Sequence, residues 1–241
     1  MAFVETYPRN EIGLRKIEAL AAEFEHTPPE ETLVWALDEF GSEVALATGF
    51  GPEGCVLIDM LAGLVSVDRR ARIFYLDTDL HFEETYALIR RLENHYGLSF
   101  ERRATKLSLQ EQEKTYGAKL WESEPDRCCQ LRKVEPLVET LRDLRAWITA
   151  IRRDQSAARS TAQVIERDRK FGLIKINPLV RWSSIDVWKY IVNHDVPHNP
   201  LHDRGYPSIG CAPCTTQVSP GEDSRAGRWR GTAKKECGLH Q

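Results

Sequence analysis

The chain has 241 residues, enough for one large domain with an appended tail, and 41% of them are apolar, enough for a buried core. Lys and Arg number 33 against 36 Asp and Glu, a formal net charge of -3, which argues against the basic footprint of a nucleic-acid binder. No apolar run approaches the length of a membrane span, and the opening MAFVETYPRNEIG lacks the apolar stretch of an export signal. The chain is therefore expected in the cytoplasm, where its six cysteines read as metal or redox residues rather than as a disulfide framework.

From the N-terminus, Glu11 to Phe24 carries Ile12, Ile17, Leu20, Ala21 and Phe24 at helical spacing. Pro28-Pro29 opens a second helix, with Thr27 as its expected cap. Val44 to Thr48 is a short apolar run that reads as a buried strand. It feeds the turn Thr48-Gly49-Phe50-Gly51-Pro52-Glu53-Gly54 and then a helix from about Glu53 to Leu64. A Gly-rich turn at a helix N-terminus presents free backbone N–H groups and suits phosphate, although such turns also merely join strands to helices. Arg72 to Leu76 is a second strand, ending at Asp77-Thr78-Asp79. A helix follows over about Glu83 to Tyr96, and Leu98 to Thr105 reads as a third strand. Arg127 to Asp143 is mostly helical, kinked or restarted at Pro136. Ala146 to Ile151 is a strand leading into the basic turn Arg152-Arg153-Asp154-Gln155-Ser156, and Gln163 to Arg167 with Leu173 to Ile176 suggests a hairpin. Ser183, with Asp186 three residues on, caps a helix to about His194, after which the chain is irregular. Strands alternating with helices predict an α/β fold, a doubly wound and mostly parallel sheet that binds ligands beyond its C-terminal strand ends.

Four cysteines fall in two close pairs, Cys128-Cys129 and Cys211-x-x-Cys214. Four thiolates suit either tetrahedral zinc or a four-iron cluster. Neighbours on a helix point about 100° apart, so converging two adjacent thiolates on one ion is strained, while a cubane offers each its own iron. Spacing thus tilts towards [4Fe–4S]. A thioredoxin-type redox pair at Cys211-Ala-Pro-Cys214 lacks the strand and long helix that motif requires, and core thiols would sit in apolar runs, which these do not. Cys55, inside GCVLIDML, reads as a buried structural thiol. Cys237 lies beside Lys234 and Lys235, which should lower its thiol pKa, with Glu236 opposing them.

These features together resemble the thioredoxin-dependent adenylyl-sulfate reductases of sulfate assimilation, from about Val44 to His240. The resemblance rests on Arg127-Cys128-Cys129 with Arg132-Lys133-Val134-Glu135-Pro136-Leu137, on Arg152-Arg153-Asp154-Gln155-Ser156, on Cys211-x-x-Cys214, on Arg225-Ala-Gly-Arg228-Trp229, and on Glu236-Cys237-Gly238-Leu239-His240. It implies an adenine nucleotide α-hydrolase-like fold, with residues 1–220 as one nucleotide-binding domain carrying the iron–sulfur site and 221–241 as an irregular, mobile catalytic tail. It implies a [4Fe–4S] cluster on Cys128, Cys129, Cys211 and Cys214, a nucleophile at Cys237, and thioredoxin or a similar thiol donor as partner. Substrate contacts are expected from Lys133, Arg152, Arg159, Arg225, Arg228, Thr48, Gly49, Phe50 and His240. The four cluster cysteines favour adenylyl sulfate (APS) over phosphoadenylyl sulfate (PAPS) as substrate. A homo-oligomer is compatible with the sequence.

The chain departs from the resembled pattern where Thr48 and Gly49 replace serines and where Leu76-Asp77-Thr78-Asp79 replaces a Leu-Asp-Thr-Gly strand end. An ATP pyrophosphatase of the same fold should carry a Ser-Gly-Gly-x-Asp-Ser-like loop, and Thr48 to Gly54 lacks its Asp-Ser end. A zinc-stabilised binding module is the non-enzymatic alternative, separable by metal analysis.

Overall fold

The computed structural model describes residues 14–64, 71–232, 234 and 236–239. Two helices lead in, α1 (Leu14–Phe24) and α2 (Pro29–Phe40). They are followed by β1 (Val44–Thr48), α3 (Pro52–Gly63), β2 (Arg72–Asp77), α4 (Glu83–Tyr96) and β3 (Glu101–Ala104). A helical stretch then runs through α5 (Leu109–Tyr116), α6 (Leu120–Ser123), α7 (Pro125–Cys129), a π turn over Gln130–Val134 and α8 (Glu135–Leu141). The chain closes the sheet with β4 (Ala146–Ile148), β5 (Ile165–Arg167) and β6 (Ile174–Ile176), and adds α9 (Ser184–Asn193). Among the described residues no helix is long and apolar enough to cross a membrane.

The six strands form one sheet in the order β3-β2-β1-β4-β6-β5. Every pairing is parallel except β5 with β6, the hairpin that the sequence suggested. The period of two along each strand divides the core. Val44, Leu46, Ile73, Tyr75, Ala146 and Ile148 face the larger cluster, shared with α1 to α4 and α9. Ala45, Phe74 and Trp147 face a smaller one, completed by Leu137 and Leu141 of α8. The order of the strands reverses between β1 and β4, which opens a crevice beyond their C-terminal ends. The turns after β1 and β4 both lead into it.

Three local expectations are corrected. Thr27 does not cap α2: its hydroxyl donates backward to the Glu23 carbonyl, 3.4 Å away, and Pro28 precedes the helix without a side-chain cap. The third strand is shorter than Leu98 to Thr105, because Leu98 is spent closing α4, its N–H bonding the Glu93 carbonyl at 3.1 Å. The fourth ends at Ile148, three residues early, as Thr149 turns its hydroxyl to Asn177 at 2.5 Å. The expected helix start at Glu11 lies outside the described residues. The restart expected at Pro136 is present: α8 begins at Glu135 with the proline in its first turn. A proline clashes with the carbonyl four residues back, and the wider π turn over Gln130–Val134 removes that clash and lets α8 start. Helix α5 went unread, although Ser108 and Glu111 form a full capping box at its start.

Candidate active site

Beyond β1 and β4 lies a cavity of about 690 Å³. On one side it is lined by Thr48, Gly49 and Gly51 to Gly54 from the β1–α3 turn. This turn has little latitude. Thr48 Oγ1 accepts the Phe50 N–H at 3.0 Å, and a Cβ on Gly54 would lie 2.5 Å from the same oxygen. Phe50 sits at a φ of +57° and sends its ring into the core against Tyr75 and Phe100. Of the turn residues expected to contact the ligand, Phe50 does not line the cavity: its side chain is buried elsewhere and its N–H is engaged. The turn also carries its own carboxylate. Glu53, in the first turn of α3, accepts Arg152 Nε at 2.8 Å, and Asp154 holds another nitrogen of the same guanidinium. Arg152 thus lines the cavity as half of an ion pair, which the sequence reading misses.

The opposite wall is cationic. Lys133, Arg159, Arg225 and Arg228 all line the cavity, and so do Glu236 and Cys237 of the tail. Arg159 and Arg225 both bond Glu236 Oε2, at 3.2 and 3.0 Å. Arg228 lies over the Trp229 ring, 4.5 Å from its centre, and fills the space a Cβ on Gly210 would need, 2.1 Å from Nη2. The buried Nε atoms of Arg159 and Arg228 have no hydrogen-bond partner in the protein. Burial lowers the pKa of both guanidinium groups. A cavity of this size lined by four partly buried cations suits an anion.

The described tail residues fold back over this opening. They carry no helix and one isolated bridge, Arg228 with Thr215. Lys170 holds the Gly238 carbonyl, and Leu239 packs on the smaller core cluster. Lys234 reaches Asp126 and the Trp229 ring. The charges of Lys133, Arg159 and Arg228 interact with that of Cys237. Lys235 and His240 lie outside the described residues. His81 and His202, also unread in the sequence, line the cavity, and burial lowers both of their pKa values.

Directly behind Lys133 is a second, small cavity lined by Cys128, Cys129, Cys211 and Cys214. Two distant segments meet here. Cys211 pairs with His81 in a bridge, Ala212 N–H bonds the Leu80 carbonyl at 2.7 Å, and Thr78 Oγ1 lies 3.3 Å from Cys211 Sγ. Arg132, 1% exposed, braces the wall through Gln112, the Thr78 and Leu107 carbonyls and Asp79. Asp79 reads in the sequence as an unhelpful extra carboxylate near the ligand. It adopts a φ of +56° and pairs with Arg102 and Arg132, so it does not line the cavity. All four thiols are free of disulfides. Burial and the neighbouring thiols push Cys128 up to about 11 and Cys214 up to about 12. Burial acts the same way on Cys211, but Lys133, Thr78 and Arg228 outweigh it and lower its pKa. For Lys133 the penalty of burial is outweighed by the charges of Cys211, Cys237 and Cys129, which hold it protonated. Among the described residues no three Cys, His, Asp or Glu side chains converge as ligands of a single metal ion. Four thiols lining one small cavity, three of them buried, and backed by Arg132 and Lys133 fit the donor set of a four-cysteine iron–sulfur cluster.

Residues 43–217 match the phosphoadenosine phosphosulfate reductase domain family. The chain belongs to this family. Its relatives include the adenosine 5'-phosphosulfate reductase of Oceanobacillus iheyensis, 47% identical over 220 residues that cover 88% of this chain and 90% of the relative. The corresponding reductase of Salinibacter ruber is 46% identical and aligns over 100% of this chain and 94% of its own. Among solved structures, the phosphoadenylyl-sulfate reductase of Candida auris, a phosphate complex, superposes with a TM-score of 0.76 at 32% identity, covering 87% of this chain and 99% of that one. An FMN adenylyltransferase of Candida glabrata shares the fold alone, with a TM-score of 0.58 at 15% identity, over 89% of this chain and 69% of the other. Within the family's span lie the β1–α3 turn, the Arg152 turn and all four clustered cysteines, while Arg225, Arg228 and Cys237 fall beyond its C-terminal limit.

Proposed function

We propose that the protein reduces APS to sulfite and AMP, with Cys237 as nucleophile and an external dithiol such as thioredoxin as reductant. The observation that carries this reading is that Cys237 shares one cavity with Lys133, Arg159, Arg225 and Arg228. The Cys237 thiolate attacks the sulfate sulfur of APS. A sulfur–sulfur bond forms, the bond from that sulfur to the bridging oxygen breaks, and its electron pair leaves with AMP. A donor thiolate then attacks Cys237 Sγ, sulfite departs with the bonding pair, and the donor's second thiol releases Cys237 by closing its own disulfide. The sulfur gains two electrons and the donor loses two.

Two anions have to meet in the attack, and the four cations offset their repulsion. Arginine presents a planar fork that matches sulfate and phosphate oxygens. Lys133, half-buried and lining both cavities, holds charge at the point where thiolate and sulfate converge. In the same proposal Cys128, Cys129, Cys211 and Cys214 hold a [4Fe–4S] cluster, which when bound supplies fixed charge and a structural tie rather than electrons. Free thiols throughout suit a reducing compartment, and cytoplasmic residence belongs to the proposal. The names of the most similar relatives favour APS over PAPS.

The test is the intact mass of protein purified anaerobically and mixed with APS or PAPS without a thiol donor. A gain of one SO₃ mapped to Cys237 is expected, faster with APS. No adduct from either nucleotide, on protein that retains its iron, would remove Cys237 as the nucleophile.

A further inference from the structure

Glu236 and its two arginines do not fit a tail that merely carries a nucleophile. Its carboxylate is 13% exposed and takes Arg159 and Arg225 on the same oxygen, with Ser156 Oγ 3.5 Å from the other. Arg159 and Arg225 are themselves 11% and 19% exposed. These two guanidinium groups are among the cations that the proposed reaction needs for the phosphosulfate. A carboxylate and a sulfate or phosphate oxygen make the same charge-assisted bonds with the same donors, so one seat has two claimants. One peptide unit separates Glu236 from Cys237, and any movement of the first is felt by the second.

We infer that Glu236 is a placeholder for the substrate's oxyanion and a positioning residue for Cys237. Before substrate arrives, Glu236 offsets the charge of two largely enclosed arginines that meet on one of its oxygens, and it holds the tail in the opening. When the phosphosulfate enters, it takes Arg159 and Arg225, and the Glu236 carboxylate is released. The tail is then tied by its outer contacts, among them Lys234 on Asp126, Lys170 on the Gly238 carbonyl and Leu239 on the core. Cys237, no longer held through Glu236, is free to reach the sulfur. Substrate entry and nucleophile release become one exchange of anions. Without it, a reactive thiolate would stand in an open cationic cavity, exposed to any small electrophile.

The inference rests on the proposed reaction at this site, and its test separates the two. The iron-loaded protein would carry Cys237→Ser, which stops chemistry, and the affinity for APS would be measured by calorimetry with and without Glu236→Gln. Loss of the competing carboxylate should tighten binding on the order of tenfold. In an Arg225→Ala background the gain from Glu236→Gln should shrink, because one of the two donors that the claimants share is gone. In protein that keeps Cys237, Glu236→Gln should lower KM while slowing S-sulfonation at saturating APS, as the thiolate loses its starting position. A purely structural role for Glu236 would instead raise KM and weaken binding. Unchanged or weaker APS binding by the Glu236→Gln protein overturns the inference. Failure of the Cys237→Ser protein to bind APS at all, with Glu236 intact or replaced, overturns the proposed function itself.

Discussion

At the scale of single residues, two positions separate the making of the site from the stability of the fold. Lys133 is enclosed between the thiol cavity and the anion cavity. Lys133→Ala removes a charge from the place where negative charge gathers, and S-sulfonation of Cys237 should slow by about 10²-fold or more, read from the time course of the mass gain. Near wild-type rates would remove Lys133 from the reaction. Gly210 is a subtler case. A methyl group there would meet Arg228 Nη2 at 2.1 Å and Cζ at 2.5 Å. The far end of a side chain yields more cheaply than backbone, so Gly210→Ala should shift melting by no more than a few degrees. It should raise the KM for APS severalfold, because Arg228 is the group displaced. Equal KM values would show that Arg228 does not contact the nucleotide.

Between residues and the whole lie the elements, and here the stretch from Pro125 to Leu141 decides most. It reads in the sequence as mostly helical with a kink or restart at Pro136, and is two short helices joined by a π turn. Arg132, inside that turn, bonds Gln112 at 2.6 Å and the Thr78 carbonyl at 2.9 Å. Arg132→Met would leave those acceptors and the Asp79 carboxylate unpaired. It should cost about 2–4 kcal/mol, seen as a lower urea midpoint in protein stripped of iron. A loss below about 0.5 kcal/mol would mean that the brace is only a surface contact. The limits of sequence reading show at this scale. Cys128-Cys129, Cys211-x-x-Cys214 and the basic clusters could be read because their chemistry is written in residue type and spacing. The alternation of strands and helices could be read from apolar period. Phe50 could not be placed, since a Gly-rich turn does not announce which of its residues faces inward. Nor could the pairing of Glu53 with Arg152, 99 positions apart, or the clamp on Glu236. Those contacts exist only once β1 and β4 lie side by side.

Across the whole molecule, several ion pairs join distant segments, and acid should loosen them together. Glu25, between α1 and α2, accepts two bonds from Arg153 at the cavity's edge, and that pairing lowers its pKa. Glu101 is lowered first by Arg72. Asp77 is lowered despite burial, because Arg102, the Asp79 N–H and Tyr86 outweigh it. A carboxylate with a depressed folded pKa adds stability above its unfolded value, and that stability is lost as pH falls through the folded one. Starting values of 4.5 for the glutamates and 3.8 for the aspartate put the onset near pH 4.5 and the loss below it. Urea midpoints should hold from pH 7 to 5 and fall at pH 4 and under. Glu101→Gln should make that acid branch shallower, and an identical branch in wild type and variant would assign the acid loss to other groups.

The ladder of charge along β3 has one more consequence. An edge strand offers unpaired backbone groups to any other chain, and charged side chains on that edge discourage the pairing. Glu101-Arg102-Arg103 fills three of the four positions of β3, and each is tied into an ion pair. At the other end of the sheet α1 packs along β5. Neither margin of the sheet invites a neighbour to extend it, so crowded, freshly synthesised copies are guarded against stacking into fibres by the same strand whose Arg102 holds Asp77 and Asp79.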